Sequence, residues 1–538
     1  GMLTVDVSQT MDIGARRRPH AVVIGSGFGG CMAALELVRA GRRVLMVERG
    51  GWVERGPQNW EPAGAFSLTP SYAPDSAFQV VHGRRRYGQN LCTCVGGASV
   101  FYGGASFRLR EGDFRASPEI AGDSGAAWPI GYDALEPFYT EAERLLNVAG
   151  EAGVDPTEPP RSAPYPQRVP RMAATSERVE RAARSLGLKP FRIPLAINHA
   201  PELGAVCQAC TTCDAFACAV SAKNDLATRV IPALVSGGMT LVADTVATRL
   251  VERGGRIIGV ECVEKATGRR VTFRGETVIL AAGALASAHL LLASGTQRHN
   301  PGGDVVGRYL MRHCNAMTFG AFERRPNPAR EYHKQVALHD FYFGSDEPGA
   351  PRGKLGNLQQ VMGPARGLAQ HVLPRPLAAM VEPLADFLTG MLAIAEDQPQ
   401  AMNRVVLDPL AVDAFGLPRM TVEHRYTKRD LAARDFLLRK ARQVLRRAGA
   451  RVFVTWKVST FSHAVGTVRM GKDERTSALD PLCRFRGLDN LYVVDGSFMP
   501  TSGGVNPSLT IAANALRVGR ALAGRTADTP AAALEASA

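Results

Sequence analysis

Two groups of residues in this chain have the types and spacing to do chemistry. The first is Cys207, Cys210, Cys213 and Cys218, four thiols within twelve residues and spaced C-x2-C-x2-C-x4-C. Thiolates this close in sequence can ligate a metal or pass electrons. A chain of this size in a reducing compartment rarely spends cysteines on disulfides, so the cluster reads as a metal or redox segment. The second group is Gly25-Ser26-Gly27-Phe28-Gly29-Gly30, followed eighteen residues after its last glycine by Glu48. Gly25 permits a tight turn, Gly27 lets backbone approach a pyrophosphate, and Gly30 lets a helix pack closely on a strand. An acid at the distance of Glu48 can accept hydrogen bonds from a ribose and repels a 2′-phosphate.

The surrounding elements support that reading. His20-Ala21-Val22-Val23-Ile24 is an apolar run of strand length leading into the glycines. Met32, Leu35 and Val38 recur at helical spacing, and Val44-Leu45-Met46-Val47 is a second apolar run ending at Glu48. Strand, turn, helix and strand make a dinucleotide-binding unit. It does not by itself separate FAD from NAD.

At 538 residues the chain is long enough for more than one domain. The apolar and charged fractions, 45% and 21%, are those of a soluble globular protein. No uncharged apolar run spans a bilayer, and the stretch after Arg16-Arg17-Arg18 is too short for a signal sequence. A cytoplasmic protein without an integral membrane segment is therefore expected. The net charge of +14 comes from scattered basic residues, with Arg84-Arg85-Arg86 as the one notable run outside the N-terminus. No nucleic-acid motif accompanies it, so the reading is a solvated basic surface and no nucleic-acid partner.

The far end of the chain is more specific. Ser462-His463-Ala464-Val465-Gly466-Thr467-Val468-Arg469-Met470-Gly471 is followed by Gly487 to Ser497, then by Gly504-Val505-Asn506-Pro507-Ser508-Leu509-Thr510 and an apolar helix from Ile511. Together with Val278–Ser287, Val306–His313 and Asn403–Pro409, in this order, the chain resembles the glucose–methanol–choline (GMC) oxidoreductases. The resemblance implies an α/β fold, a Rossmann-like FAD-binding domain interleaved with an α+β substrate domain containing an antiparallel sheet. The FAD domain is expected over residues 18–115, 224–317 and 455–525, the substrate domain over 116–223 and 318–454, and a flexible tail over 526–538.

It also implies site residues. Gly25, Ser26, Gly27, Phe28, Gly29, Gly30, Glu48 and Arg49 belong to the dinucleotide turn. Asp495 and Gly496 fall near the pyrophosphate, Val246 beside the adenine, and Gly283 in the turn before the flavin. Gly97, Ser99 and Tyr102 lie in the Gly96–Gly104 segment that covers the isoalloxazine, with the Asn506-Pro507-Ser508 backbone near the ring. Tyr102 stands where many relatives have asparagine, which bears on the usual hydrogen bond to the flavin and on oxygen reactivity.

Alcohol oxidation removes a proton from oxygen and a hydride from carbon. Flavin N5 accepts the hydride, and the protein supplies a base. Histidine suits this because its ordinary pKa lies near neutrality. By resemblance His463 is that base and Asn506 the partner that holds the same hydroxyl. The plainer alternatives are a hydrogen-bonded core histidine and a turn asparagine before Pro507. For the cysteines, some bacterial GMC dehydrogenases hold an iron–sulfur cluster in a similar segment. The spacing is one residue longer than the ferredoxin-type run and lacks its proline. Structural zinc and packed thiols remain alternatives. A cluster would pass electrons singly to an acceptor protein and favour a dehydrogenase. The other readings are an oxidase releasing peroxide and a lyase that retains FAD. The substrate is a small-molecule alcohol of unspecified type. Residues 371–395, with Leu377, Met380, Val381, Leu384, Leu388 and Met391, are expected to form a packed helix interrupted at Pro383, in preference to a lid or lipid-facing patch.

Overall fold

The computed structural model of the chain describes residues 19–62, 76–365 and 367–524. The expected tail at 526–538 lies outside them.

Strands Ala21–Ile24, Val44–Val47, Thr240–Val242, Thr277–Leu280 and Leu491–Val493 form one parallel sheet, in the order Leu491–Val493, Thr277–Leu280, Ala21–Ile24, Val44–Val47, Thr240–Val242. The three central strands are mostly Val, Ile and Leu, and nearly all their side chains are buried, as covering both faces of a parallel sheet requires. Helix Phe28–Arg39 covers one face and packs against helix Ser508–Leu522 from the far end of the chain. Their contact is close because residue 519 is glycine: a Cβ there would meet Ala33 backbone at 2.9 Å. The sheet thus draws strands from both ends of the sequence into one layer.

A six-stranded sheet forms the other half, in the order Val452–Lys457, Cys314–Ala321, Leu388–Ala395, Gly356–Val361, Val336–Leu338, Phe191–Arg192, and all its pairings are antiparallel. Helix Lys428–Ala448 lies on one face, and Phe436, Leu437, Ala441, Val444 and Leu445 join Ala316, Met391, Ala393 and Ala395 in a second core. A four-stranded and a three-stranded sheet complete the architecture.

Residues 371–395 do not form the packed helix expected. Short helices Leu368–Val372 and Arg375–Val381 give way to a 3₁₀ turn, Glu382–Phe387, and then to strand Leu388–Ala395. Leu377, Met380 and Leu384 are 50%, 70% and 56% exposed. Helical spacing across the join misled because Leu388 and Met391 belong to a strand whose partner is Cys314–Ala321, far away in sequence.

Candidate active site

The glycine turn has the shape its sequence demands. Gly25 has φ +106°, and a Cβ there would lie 2.1 Å from the Ala281 carbonyl oxygen. A Cβ at Gly30 would lie 2.0 Å from the Gly25 oxygen, and one at Gly29 would lie 2.5 Å from the Val494 oxygen. Gly27 differs: a Cβ there would meet nothing within 4 Å. It is the N-cap of helix Phe28–Arg39 and offers no side-chain cap, and the first turn holds no acid. An uncapped N-terminus over an open glycine is a place for phosphate oxygens.

Glu48 lies beside the turn. It accepts from Ser26 N at 3.2 Å, Ser26 Oγ at 2.6 Å and Gly50 N at 2.8 Å. Burial pushes its carboxyl up, and those hydrogen bonds and Lys265 oppose the rise. Ser26 Oγ in turn accepts from Gly96 N at 3.0 Å, and a Cβ on Gly97 would reach Gly27 at 3.0 Å, so the 96–104 segment is tied to the turn. Ser99 is spent internally, donating to Gly96 O and accepting from Leu226 N. Val246 is buried, next to Thr245, whose N–H donates to Glu48 O at 3.0 Å. The Arg49 guanidinium stacks 5.1 Å from the centre of the Phe415 ring.

Asp495 is fully engaged. One oxygen accepts from Gly283 N and Ser287 Oγ, and the other from Ser497 N and Ser497 Oγ. Burial raises its pKa while these bonds oppose the shift. It orders the Gly283–Ser287 turn more than it offers free oxygens. Gly496 O accepts from Gly466 N at 3.1 Å, which joins this turn to the loop carrying His463. The open glycine, the uncapped helix and the adjoining carboxylate fit an FAD pyrophosphate and ribose.

A two-way hydrogen-bonded pair, Met311 with Val465, runs antiparallel and so places residue 313 opposite residue 463. His313, at φ +62°, brings Nδ1 to 3.0 Å from His463 Nδ1, with the rings at 89°. Proton positions follow from the far end of the pair. His313 Nε2 lies 3.1 Å from the Ser502 carbonyl, which only accepts, so Nε2 carries hydrogen. A neutral His313 then has a lone pair on Nδ1, and His463 must donate from its own Nδ1. His463 Nε2 is left as a lone pair. Burial, with like-charge contributions from His313 and Lys334, pushes His463 down to about 3, against the pull of Asp214. Lys334 pairs with Asp214 at 2.8 Å. Asn506 Oδ1 accepts from Gln359 Nε2 at 3.0 Å, and Gln359 Oε1, also buried, has no partner among the described residues. Pro507 caps helix Ser508–Leu522, and Ser508 Oγ donates to Ala105 O. Tyr102 donates its hydroxyl to Asn224 O at 2.6 Å and sets its ring edge-on to Phe28, so that hydroxyl is committed to backbone.

The cysteine segment meets this site by a different route from the one expected. All ten cysteines are free, and among the described residues no group of three or more His, Cys, Asp or Glu side chains is arranged to hold a metal ion. Cys207 Sγ accepts from Ala209 N, Cys210 Sγ from Thr212 Oγ1 and Cys218 Sγ from Ala222 N. Burial pushes the Cys213 thiol up to about 12 against the pull of Lys223, which disfavours the thiolate a metal needs. As placed, these four residues do not fit a cluster. Left-handed turns at Ala209 and Ala215 instead fold the segment onto Gly103, where Asp214 reaches the Lys334 pair.

His313, Gln359, Lys334 and Asp214 were not singled out from sequence. His313 ends a segment quoted above but carried no role. Gln359 left one signal, a strand reading Gly356-Asn357-Leu358-Gln359-Gln360-Val361 with three amides where apolar residues are usual.

A dinucleotide turn joined through Gly496 and Gly466 to the loop that carries the half-buried His463 fits a flavin-type oxidoreductase. The chain belongs to the GMC oxidoreductases, an FAD-binding family: its N-terminal model matches residues 21–315 and its C-terminal model residues 399–515. The chain is 33% identical to a 6'''-hydroxyparomomycin C oxidase of Streptomyces lividus, over 94% of this chain and 91% of that one. It is 26% identical to a 2-methyl-1,2-propanediol dehydrogenase of Mycolicibacterium austroafricanum, over 94% and 95%. The crystal structure of pyridoxine 4-oxidase from Mesorbium loti superposes with a TM-score of 0.65 at 20% identity, covering 94% of this chain and 99% of that one. Among the described residues no helix is long and apolar enough to cross a membrane.

Proposed function

We propose that the chain oxidises an alcohol to a carbonyl, with His463 as the base and Asn506 as the hydroxyl's second partner. The observation that carries this is the contact of His463 Nδ1 with His313 Nδ1, with the Ser502 carbonyl at the far side of His313, which assigns the tautomer of His463. His313 holds its Nδ1 hydrogen, so Nε2 presents a lone pair. The substrate O–H donates to that nitrogen while its oxygen accepts from the Asn506 amide. Bound FAD supplies the hydride acceptor. As the hydride leaves carbon, His463 takes the hydroxyl proton, and the pair holds the oxygen so that the C–H faces one way.

The residues that would hold FAD are Gly25 to Gly30, Glu48, Val246, Gly283, Asp495 and the Gly97–Tyr102 segment. The names of the relatives point to hydroxyls of amino sugars and small diols, and a polyol or sugar-like alcohol is the substrate class we favour. We keep a carrier as the electron acceptor, although the cysteines lend it no relay. The specific observation for oxygen is that relatives above 30% identity carry the name oxidase. Peroxide formed per carbonyl separates the two. An anaerobic screen of alcohols, read by bleaching of the flavin, tests the reaction itself. His463→Ala is expected to keep FAD and lose most of that bleaching; reduction at the parental rate would remove the assignment.

A further inference from the structure

We infer that a buried chain of hydrogen bonds, Asp155–His339–Asn357–Gln359, fixes the amide of Asn506 with its NH2 toward the substrate, and that Gln359 is its positioning residue. This rests on the reading of Asn506 as the hydroxyl's partner.

The register builds the chain. Strands Val336–Leu338 and Gly356–Val361 pair antiparallel with Ala337 opposite Gln359, which sets residue 339 opposite Asn357. Asn357 and Gln359, two apart on one strand, share a face. The contacts follow. Gln359 Nε2 lies 3.0 Å from Asn506 Oδ1 and 2.8 Å from Asn357 Oδ1, and Asn357 Nδ2 lies 2.6 Å from His339 Nε2. His339 Nδ1 lies 2.9 Å from Thr157 Oγ1 and 3.5 Å from Asp155 Oδ1. His339, Asn357 and Gln359 are essentially inaccessible to solvent.

Amides and imidazoles can each be reversed, so the sense of the chain must come from a group that cannot. Asp155 is that group. Against the cost of burial, the Arg110 guanidinium and hydrogen bonds from His339 and Thr157 hold its carboxyl well below the usual range, so it only accepts. Thr157 spends its one hydrogen on Asp155 Oδ1 at 2.9 Å and must accept from His339. Arg110 Nη2, 3.3 Å from His339 Nδ1, makes its short bond of 2.6 Å to Asp155 Oδ2. His339 therefore carries hydrogen on Nδ1. Burial and the Arg110 charge keep it neutral against Asp155 and Asp113. Its Nε2 accepts from the Asn357 amide nitrogen, the Asn357 oxygen accepts from Gln359, and the second Gln359 hydrogen goes to the Asn506 oxygen. Only the nitrogen of Asn506 remains to face a substrate. Reversing any one link would set donor against donor or acceptor against acceptor among side chains closed to bulk solvent. The chain thus fixes Asn506 as a donor, just as Ser502 and His313 fix His463 as an acceptor.

Two measurements test this. A neutron structure of the deuterium-exchanged holoenzyme, which needs no substrate, is expected to show deuterium on His339 Nδ1 and the Asn506 nitrogen turned away from Gln359. Deuterium on His339 Nε2, or the Asn506 oxygen turned away from Gln359, would overturn the inference. Anaerobic flavin reduction by the alcohol that bleaches the parent fastest gives the second. Gln359→Met should slow it about ten-fold with FAD still bound, and should cost nothing further in an Asn506→Ala background. Additive losses, or no loss from Gln359→Met, would sink the relay alone. A parental rate in Asn506→Ala would remove the relay and the reading of Asn506 together.

Discussion

Replacing His313 with leucine should slow flavin reduction about ten-fold without loss of FAD. The magnitude comes from what the ring does. His313 makes two hydrogen bonds, to Ser502 O at 3.1 Å and to His463 Nδ1 at 3.0 Å. The second bond is the one that selects the His463 tautomer with a free Nε2. A buried neutral hydrogen bond is worth about 1 kcal/mol net and somewhat more in a dry site, and about 1.4 kcal/mol is ten-fold in rate. Leucine cannot accept from His463, so the competent tautomer leaves a buried N–H without a partner, a cost of about 1.4 kcal/mol; the other tautomer is favoured by that amount, and roughly nine-tenths of the population presents N–H to the substrate hydroxyl. Leucine also leaves the Ser502 carbonyl without this donor, a stability cost of about 1–3 kcal/mol. That cost would lower the unfolding temperature but would not enter the reduction rate of the folded fraction. His313→Gln is the control. Its amide can donate to Ser502 and accept from His463, and it should stay within about three-fold of the parent. The assay is anaerobic stopped-flow at neutral pH, normalised to bound flavin, with saturating alcohol. If His313→Leu reduces its flavin within two-fold of the parent, the tautomer argument is wrong, whatever the distance between the rings.

The other predictions concern the same frame. Flavin reduction should show no acid limb from His463 between pH 5 and 8: burial lowers its pKa to about 3, so the base stays neutral and competent at any pH well above that value. An inflection near pH 6.5 that disappears in His463→Ala would contradict this. Gly30→Ala puts a Cβ 2.0 Å from the Gly25 carbonyl oxygen, with no flexible side chain to yield, so the purified protein should lack flavin absorbance. A normal ratio of flavin to protein bands would argue against the tight turn. Asp495→Asn sets an NH2 against backbone and serine donors and should destabilise by roughly 2–3 kcal/mol, read as a lower unfolding temperature.

The nucleotide half was legible because its signals are local. Gly25 and Gly30 are required by contacts within a few residues or with one neighbouring strand, Gly27 is the open N-cap of the helix that follows, and Val44–Val47 ends at its acid as a strand in this fold should. The stretch from Leu377 to Met391 was misread for the converse reason. Its spacing was real, but Leu388–Ala395 is a strand because Cys314–Ala321 pairs with it, and no window along the sequence contains that partner. The cysteines are the same lesson in chemistry: short spacing made a metal conceivable, yet whether four thiols converge depends on how the segment turns, and here Ala209 and Ala215 turn it toward Gly103.

What sequence could not convey about the candidate site is direction. His463 and Asn506 could each be named, but a neutral imidazole accepts or donates at either nitrogen, and an amide can be turned end for end. Each has meaning only when something that cannot reverse is attached. For His463 that is the Ser502 carbonyl, reached through His313. For Asn506 it is Asp155, reached through three residues and about 350 positions away in sequence. A hydroxyl needs one acceptor and one donor, and the two anchors impose opposite senses on the two residues. Both anchors are pure acceptors, one separated from its terminal group by a single ring and the other by a ring and two amides. Every intervening group except Gln359 takes a hydrogen at one end and gives one at the other, so the sense is passed on unchanged as far as Gln359. The two chains end differently. His463 gives its only hydrogen inward and keeps a lone pair outward, whereas Asn506 takes a hydrogen inward and keeps its own outward. The difference lies in Gln359, which donates from one nitrogen to both neighbours and so reverses the sense once. That makes Gln359 the position where a change of residue would do most to alter what the site presents to a hydroxyl.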